Sequence, residues 1–251
     1  MEKAKVRQDW GEQKMNEAEA RLDLASVHRI LAMEGLNEGT WNHFSCKIGN
    51  GVQYLVTPGS THFSMVSASS LLLYGRDGEL ISGNGQANHD ALPIHLPIYE
   101  ARSDVNCILH FHSPHATALT VFKQIRFDTR LSQTAAYFHG KVSYLDTYAV
   151  PRTNTEEGEE MAHALGDKKV LFMKNHGVLI AASSLADASV SAYQLERASR
   201  IQLLAAATGA ETEPMSEEHA ELLAREECNG EPDYLDGMKR LLERTQPNFK
   251  E

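Results

Sequence analysis

Residues 105–113, Val105-Asn106-Cys107-Ile108-Leu109-His110-Phe111-His112-Ser113, read as an apolar, partly β-branched strand that ends in a His-x-His pair. Residues two apart on a strand share a face, so His110 and His112 lie side by side. Cys107 falls in the opposite phase and reads as a small buried hydrophobe. A second apolar run, from Val170 to Ile180, carries His176 within Asn175-His176-Gly177. Three neutral imidazoles suit Zn²⁺, with Mn²⁺, Co²⁺ or Fe²⁺ as other candidates, and three protein ligands leave a coordination position open for substrate. One divalent transition metal on His110, His112 and His176 is therefore expected. With 12 histidines in 251 residues, one His-x-His pair also arises readily without a metal, so the residues around it must decide.

Working outward, Glu17 to Met33 has apolar residues at helical spacing (Ala20, Leu24, Val27, Leu31) and Gly35 placed as a left-handed cap. His28 shares that face and is read as a packed helix residue. From Trp41 to Ile81, short runs broken by Gly49-Asn50-Gly51, Pro58-Gly59-Ser60 and Arg76-Asp77-Gly78 predict strands and turns. Ala91 to Ser103 is helix-like, with Pro93 tolerable in a first turn and Pro97 expected to kink the segment. Helices are predicted over His115–Phe122, near Glu156–Leu165, and from Leu185 to Gly209 after a Ser184 cap. Asp233 to Leu242 predicts a short amphipathic helix. Strands and helices mixed without regular βαβ alternation predict an α/β fold with a central, mostly antiparallel sheet flanked by helices. The organisation expected is a frayed arm over 1–14, one domain over 15–209 and a helical extension over 210–251.

Hydrophobic residues make up 42% and charged residues 23% of the chain, as in ordinary soluble domains. No apolar run approaches a bilayer span of about 20 residues, and the N-terminus lacks the apolar core of a signal peptide. The net charge of −10 opposes binding to nucleic acid or anionic lipid. Cys46, Cys107 and Cys228 are far apart without a Cys-x-x-Cys motif, which suits a cytoplasmic protein with neither disulfides nor a thiolate metal site.

Four segments give the chain a more specific resemblance, extending from about Glu17 to about Gly209. They are Gly35-Leu36-Asn37-Glu38-Gly39-Thr40 with Trp41-Asn42-His43-Phe44-Ser45-Cys46-Lys47; Thr57-Pro58-Gly59-Ser60; His95-Leu96-Pro97-Ile98-Tyr99-Glu100-Ala101-Arg102-Ser103-Asp104-Val105 leading into His110 and His112; and Asn175-His176-Gly177. In this order and spacing the chain resembles the class II aldolase/adducin family. The resemblance implies the same α/β architecture, a metal held by the three histidines, and a homotetramer with sites between subunits. It also implies substrate-binding roles for Asn42, His43, Ser45, Lys47, Thr57, Gly59 and Ser60, and a ligand-orienting role for His115. Tyr137 and His139 are candidate proton donors to a neighbouring subunit's site, whereas Tyr148 is read as a core residue.

The chain departs from the sugar-phosphate aldolases of that family. Their phosphate-gripping Gly-Asn falls on Asn42-His43, and their Pro-Ser-Ser-Glu falls on Asn88-His89-Asp90-Ala91, which places alanine where those enzymes have a catalytic glutamate. Alanine cannot move a proton, and Asp90 would repel a phosphate dianion. His89 and Asp90 stand as replacement acid/base candidates, with a polar turn as the alternative reading. The expected function is that of a metal-dependent lyase acting on a small unphosphorylated hydroxy- or oxo-carboxylate, decarboxylation being favoured over retro-aldol cleavage; dehydration, epimerisation and a non-catalytic adducin-like interaction domain are the other readings. A non-haem iron oxygenase would want two histidines and a carboxylate, which this set does not supply.

Overall fold

Asn16 caps α1 (Glu17–Met33) by accepting a hydrogen bond from the Ala18 N–H at 3.1 Å, with Glu17 and Glu19 in the first turn, where carboxylates complement the exposed N–H groups. The helix stops where Gly35 takes φ +69°, a left-handed conformation that glycine adopts without steric cost. The structure, a computed structural model, describes residues 16–49, 51–147, 156–226 and 231–251. The expected arm over 1–14, Tyr148 and Cys228 lie outside these residues.

After α1 come β1 (His43–Ile48), β2 (Gln53–Val56), β3 (Leu72–Gly75), β4 (Leu80–Ser82), α2 (Ala91–Ala101), β5 (Cys107–Phe111), α3 (Pro114–Thr120), α4 (Gln133–Ala136) and β6 (Val142–Leu145). The chain continues with α5 (Glu156–Leu165), β7 (Val170–Met173), β8 (Gly177–Ala182), α6 (Leu185–Ala207), α7 (Glu217–Glu226) and α8 (Glu231–Thr245). The strands form one sheet in the order β4-β3-β2-β1-β5-β8-β7-β6. Every neighbouring pair is antiparallel except β6 with β7, as the mixed pattern predicts. No helix among the described residues is long and apolar enough to cross a membrane.

Strand alternation divides the sheet between two cores. Phe44, Cys46, Cys107, Leu109, Phe111, Val178 and Ile180 point to the larger core, shared with α1, α3 and α6. Ile108, Leu171, Leu179 and Ala181 point to the other, beneath α2 and α5. Each large side chain fully buried here, Phe44 or Phe111 for example, contributes about 1.5–3 kcal/mol of apolar burial. Cys107 and Cys46 face each other in the β1–β5 register within the larger core, the phase expected for a residue turned away from His110.

Three local outcomes differ from the sequence reading. The helix α2 runs through Pro97 to Ala101; its missing N–H leaves the Pro93 carbonyl without a helical donor, and Gly158 of α5 packs against that carbonyl and the Pro97 ring so closely that a Cβ would not fit. The C-terminal helix is longer than predicted, and Leu235, Leu242 and Phe249 of the expected helical extension join the larger core. His28 is more than packed. Its Nδ1–H donates to the Leu24 carbonyl at 2.7 Å, and its Nε2 accepts from the Thr57 hydroxyl at 2.7 Å, while Thr57 Oγ1 accepts the Phe44 N–H at 2.7 Å. Thr57 is therefore corrected from a substrate contact to a buried knot tying α1 to β1.

Burial lowers the His28 pKa to about 4, so the ring stays neutral in the fold while the unfolded chain takes up a proton near its ordinary 6.5. Its stabilising contribution is intact above about pH 6.5 and is lost as pH falls towards 4. Urea midpoints measured between pH 7 and 4 should fall across that window. Thr57→Val, which strips partners from His28 and Phe44, should lower stability at pH 7.5 by about 1–3 kcal/mol in the same assay.

Candidate metal centre

The edge of the sheet where β5 ends brings the three predicted ligands together. His110 is the fourth residue of β5, His112 lies just beyond the strand, and His176 sits in the turn between β7 and β8. One ligand atom from each ring lies within 4.8 Å of the other two. The ring centroids are 4.7–4.9 Å apart, and the Nε2 atoms of His110 and His112 are separated by 3.1 Å. Tetrahedral Zn–N bonds of about 2.0–2.1 Å hold donors about 3.3 Å apart, so this spacing suits ligands to one ion.

Hydrogen bonds behind the rings fix how they present themselves. His110 Nδ1 lies 3.1 Å from the Val178 carbonyl, and His112 Nδ1 lies 2.6 Å from Glu38 Oε2. In both cases Nδ1–H donates outward and the Nε2 lone pair faces inward. Two lone pairs 3.1 Å apart repel unless a proton or a cation lies between them. Burial, then the neighbouring histidines His43, His112 and His176, hold His110 well below the ordinary imidazole pKa. Burial, and secondarily His112, lowers His176 to about 4. Neutral rings with inward lone pairs are what a divalent metal needs, and the donor set fits one.

The Asn-His-Gly segment has a steric reason. Asn175 takes φ +56°, a left-handed conformation that asparagine tolerates better than most residues, and this turns the chain so that His176 enters the site. A Cβ on Gly177 would lie 2.5 Å from His112 Cδ2 and 2.8 Å from the Phe111 carbonyl, so glycine allows β8 to pass beneath the His112 ring. A cleft of about 580 Å³ opens over the site, lined by Asn37, Glu38, His112, Pro114, Thr117, Asn175 and His176; its size suits a small molecule.

The other candidate residues divide. Asn42 is buried; its Oδ1 accepts the Glu38 N–H at 2.6 Å and so holds the loop that carries Glu38, while its Nδ2 has no partner. His43 pairs with His110 in the β1–β5 register, its ring 4.9 Å away. Gly59 lies so near the Gln86 and Ala87 carbonyls that a Cβ would not fit, and Ser60 is exposed with φ +58°; neither lines the cleft. His89 is 78% exposed, 3.1 Å from Asp90 at the start of α2, and Ala91 is fully buried.

Five expectations are corrected. Lys47 is four residues along β1 from His43, about 13 Å at the usual rise; its ammonium donates to the Val105 carbonyl at 2.7 Å and lies over the Tyr99 ring, so it does not face the metal histidines. The Ser45 hydroxyl is buried between His95 and Tyr99. His115 orients no ligand ring: its Nδ1 and backbone N–H bind Glu196 of α6, and the orienting partners are Glu38 and Val178. Tyr137 is buried and its hydroxyl donates to Asp187 Oδ1 at 2.8 Å, so that proton is committed within its own chain. His139 spends both ring nitrogens within its own chain, on Thr129 and Glu217.

Residues that sequence reasoning did not single out also enter. Glu38 was visible only as a letter in a loop motif, because its partner lies 74 residues away. Thr117 lines the cleft with a buried, unpartnered hydroxyl.

Known proteins share this fold. Residues 22–203 match the family model of the class II aldolase and adducin N-terminal domain. A crystal structure of an aldolase II superfamily protein from Pseudomonas syringae superposes with a TM-score of 0.85 at 26% identity, covering 99% of this chain and 100% of that one. The L-fuculose 1-phosphate aldolase of Glaciozyma antarctica PI12 superposes at 0.82 with 25% identity, over 94% and 93%. A 3,4-dihydroxyphthalate decarboxylase from Arthrobacter keyseri is 29% identical over 210 residues, 78% of this chain and 82% of that protein.

His176→Ala should abolish stoichiometric metal binding, read by elemental analysis after gel filtration, whereas Glu38→Gln should weaken it about 10–100-fold by titration against a chromophoric chelator. Gly177→Ala should leave a folded protein by circular dichroism, destabilised by about 1–3 kcal/mol from overpacking, with metal affinity reduced because His112 is displaced.

Proposed function

Because the chain belongs to the class II aldolase and adducin family, we propose that it is a metal-dependent lyase acting on a small unphosphorylated hydroxy- or oxo-carboxylate, with decarboxylation its favoured reaction and retro-aldol cleavage of a related substrate the second reading. The observation that carries this proposal is the three-histidine cluster with an open cleft above it, together with a fully buried alanine, Ala91, where the family's aldolases have their catalytic glutamate. Loss of CO₂ needs an electron sink and a proton donor but no base to remove a carbon-bound proton, so it tolerates that alanine. The decarboxylase relative acts, by its name, on an aromatic acid with adjacent hydroxyls, which is the substrate class favoured here.

Zn²⁺ is the metal of this reading, and when bound it supplies a Lewis acid for two neighbouring substrate oxygens. The protein's own groups do the rest. His110, His112 and His176 hold the ion, and Glu38 and the Val178 carbonyl keep their lone pairs inward. The Asn42 amide and the Thr117 hydroxyl, both buried without partners, are donors for substrate oxygens. His89 and Asp90, 3.1 Å apart on the solvent side, exchange protons with water, and Gly59 donates its N–H to the Gln86 carbonyl at 2.8 Å in the segment that leads to them. The working form is a cytoplasmic homotetramer with sites between subunits, expected to sediment as such at micromolar concentration; a monomer would overturn that part.

A panel of hydroxy- and oxo-carboxylates, followed for CO₂ and aldehyde in parallel with and without chelator, tests the assignment. CO₂ release lost on chelation is the expected result. Aldehyde without CO₂ would move the reading to retro-aldol cleavage, and silence in both channels with full metal occupancy would move it to an adducin-like binding module. Turnover of fuculose phosphate or ribulose phosphate should be negligible, and Ala91→Glu alone should not create it; robust cleavage of either would overturn the loss of the phosphate site.

A further inference from the structure

Behind His110, on the face of the sheet beneath α2, four side chains form a single buried file. His43 Nδ1 lies 3.0 Å from His95 Nε2, His95 Nδ1 lies 2.7 Å from Ser45 Oγ, and Ser45 Oγ lies 2.9 Å from the Tyr99 hydroxyl. All four residues are at most 4% exposed. The sequence builds the file from two periodicities: His43 and Ser45 are two apart on β1, and His95 and Tyr99 are four apart on α2, so each pair shares a face.

One arrangement of protons pairs every donor within the file and leaves a single N–H, on His43 Nε2, at the end beside His110. Among the described residues the Tyr99 hydroxyl has Ser45 as its only hydrogen-bond partner, so its proton goes to Ser45 Oγ. The Ser45 proton then has one acceptor left, His95 Nδ1. A neutral His95 that accepts at Nδ1 carries its proton on Nε2 and donates it to His43 Nδ1. A neutral His43 that accepts at Nδ1 carries its own proton on Nε2. Reversing the file leaves the Tyr99 O–H buried with no acceptor, and letting Ser45 accept from both sides leaves the serine O–H in that position. Both rings are neutral in this arrangement, because a second proton on His43 Nδ1 would face the His95 Nε2–H and a second proton on His95 Nδ1 would leave the serine O–H without its acceptor.

We propose that Tyr99, Ser45 and His95 form a tautomer lock, positioning residues that keep His43 as an Nε2–H donor beside His110, so that His43 donates a hydrogen bond to a carboxylate or carbonyl oxygen of the substrate and is neither a fourth metal ligand nor a general base. This deepens the lyase reading and rests on it for the identity of the acceptor. The file supplies no stream of protons, because its far end is a buried tyrosine whose own ionisation burial opposes. Its output is the fixed polarity of one N–H.

The test is long-range ¹H–¹⁵N correlation NMR on the full-length Zn²⁺-loaded protein labelled with ¹⁵N-histidine, which distinguishes protonated from unprotonated ring nitrogens; His43→Gln and His95→Gln assign the signals. The expected result is protonation at Nε2 in both rings. Ser45→Thr, which retains the hydroxyl, should keep that pattern, and Ser45→Ala should shift the His43 nitrogens towards the averaged values of exchanging tautomers. Protonation of His43 at Nδ1, a metal-bound His43 Nε2, or an unchanged pattern in Ser45→Ala would overturn the lock. The readout needs no substrate: an inactive protein with His43 locked would refute the lyase reading alone, and an active one with His43 protonated at Nδ1 would refute the lock alone.

Discussion

The antiparallel register that places β5 between β1 and β8 is the constraint on which the site depends. It sets His43 opposite His110 and Leu179 on the other flank of the same residue. A one-residue slip of β5 would turn both His110 and His112 into the larger core and bring Phe111 and Leu109 to the cleft. The apolar alternation of that strand therefore fixes chemistry as well as packing: Cys107, Leu109 and Phe111 are buried with Phe44, Val178 and Ile180, and each of these contacts resists the slip that would empty the site.

The features legible in the sequence are those whose signal is local. Strand phase predicted that His110 and His112 share a face, and helical spacing predicted α1 and α6 nearly to their ends. The class of sheet followed from the absence of βαβ alternation. The carboxylate of Glu38 was not legible, because no periodicity links a loop residue to a histidine 74 positions later. Nor was the withdrawal of Lys47, Ser45 and Thr57 from the substrate. Strand phase gives a residue's face but not what else is waiting there, and each of these three polar groups meets a closer partner: the Val105 carbonyl, the His95 and Tyr99 pair, and His28. The sequence also makes Pro97 look like a break in α2, although the compensating glycine, Gly158, lies on another helix.

The two faces of the sheet carry different duties. The larger core gathers α1, α3, α6, α8 and the last residues of the chain, including Phe249, and holds the strands in register. The other face is where α2 meets β1, and its polar groups are paired with one another in a line that ends beside the metal histidines. Glu196 of α6 fixes the start of α3 on the larger-core side by accepting from the backbone N–H groups of His115 and Ala116, immediately after the His-x-His pair.

The position of Lys47 bears on the order in which the site is filled. With that ammonium engaged by Val105, the residues that line the cleft include a carboxylate, Glu38, and neither lysine nor arginine. Without its ion the cleft offers an anion little but repulsion and a few neutral dipoles; with the ion present the local charge changes sign. Binding of the cation would thus be the gate through which an acidic molecule gains entry, and the two would associate in a compulsory sequence, cation first.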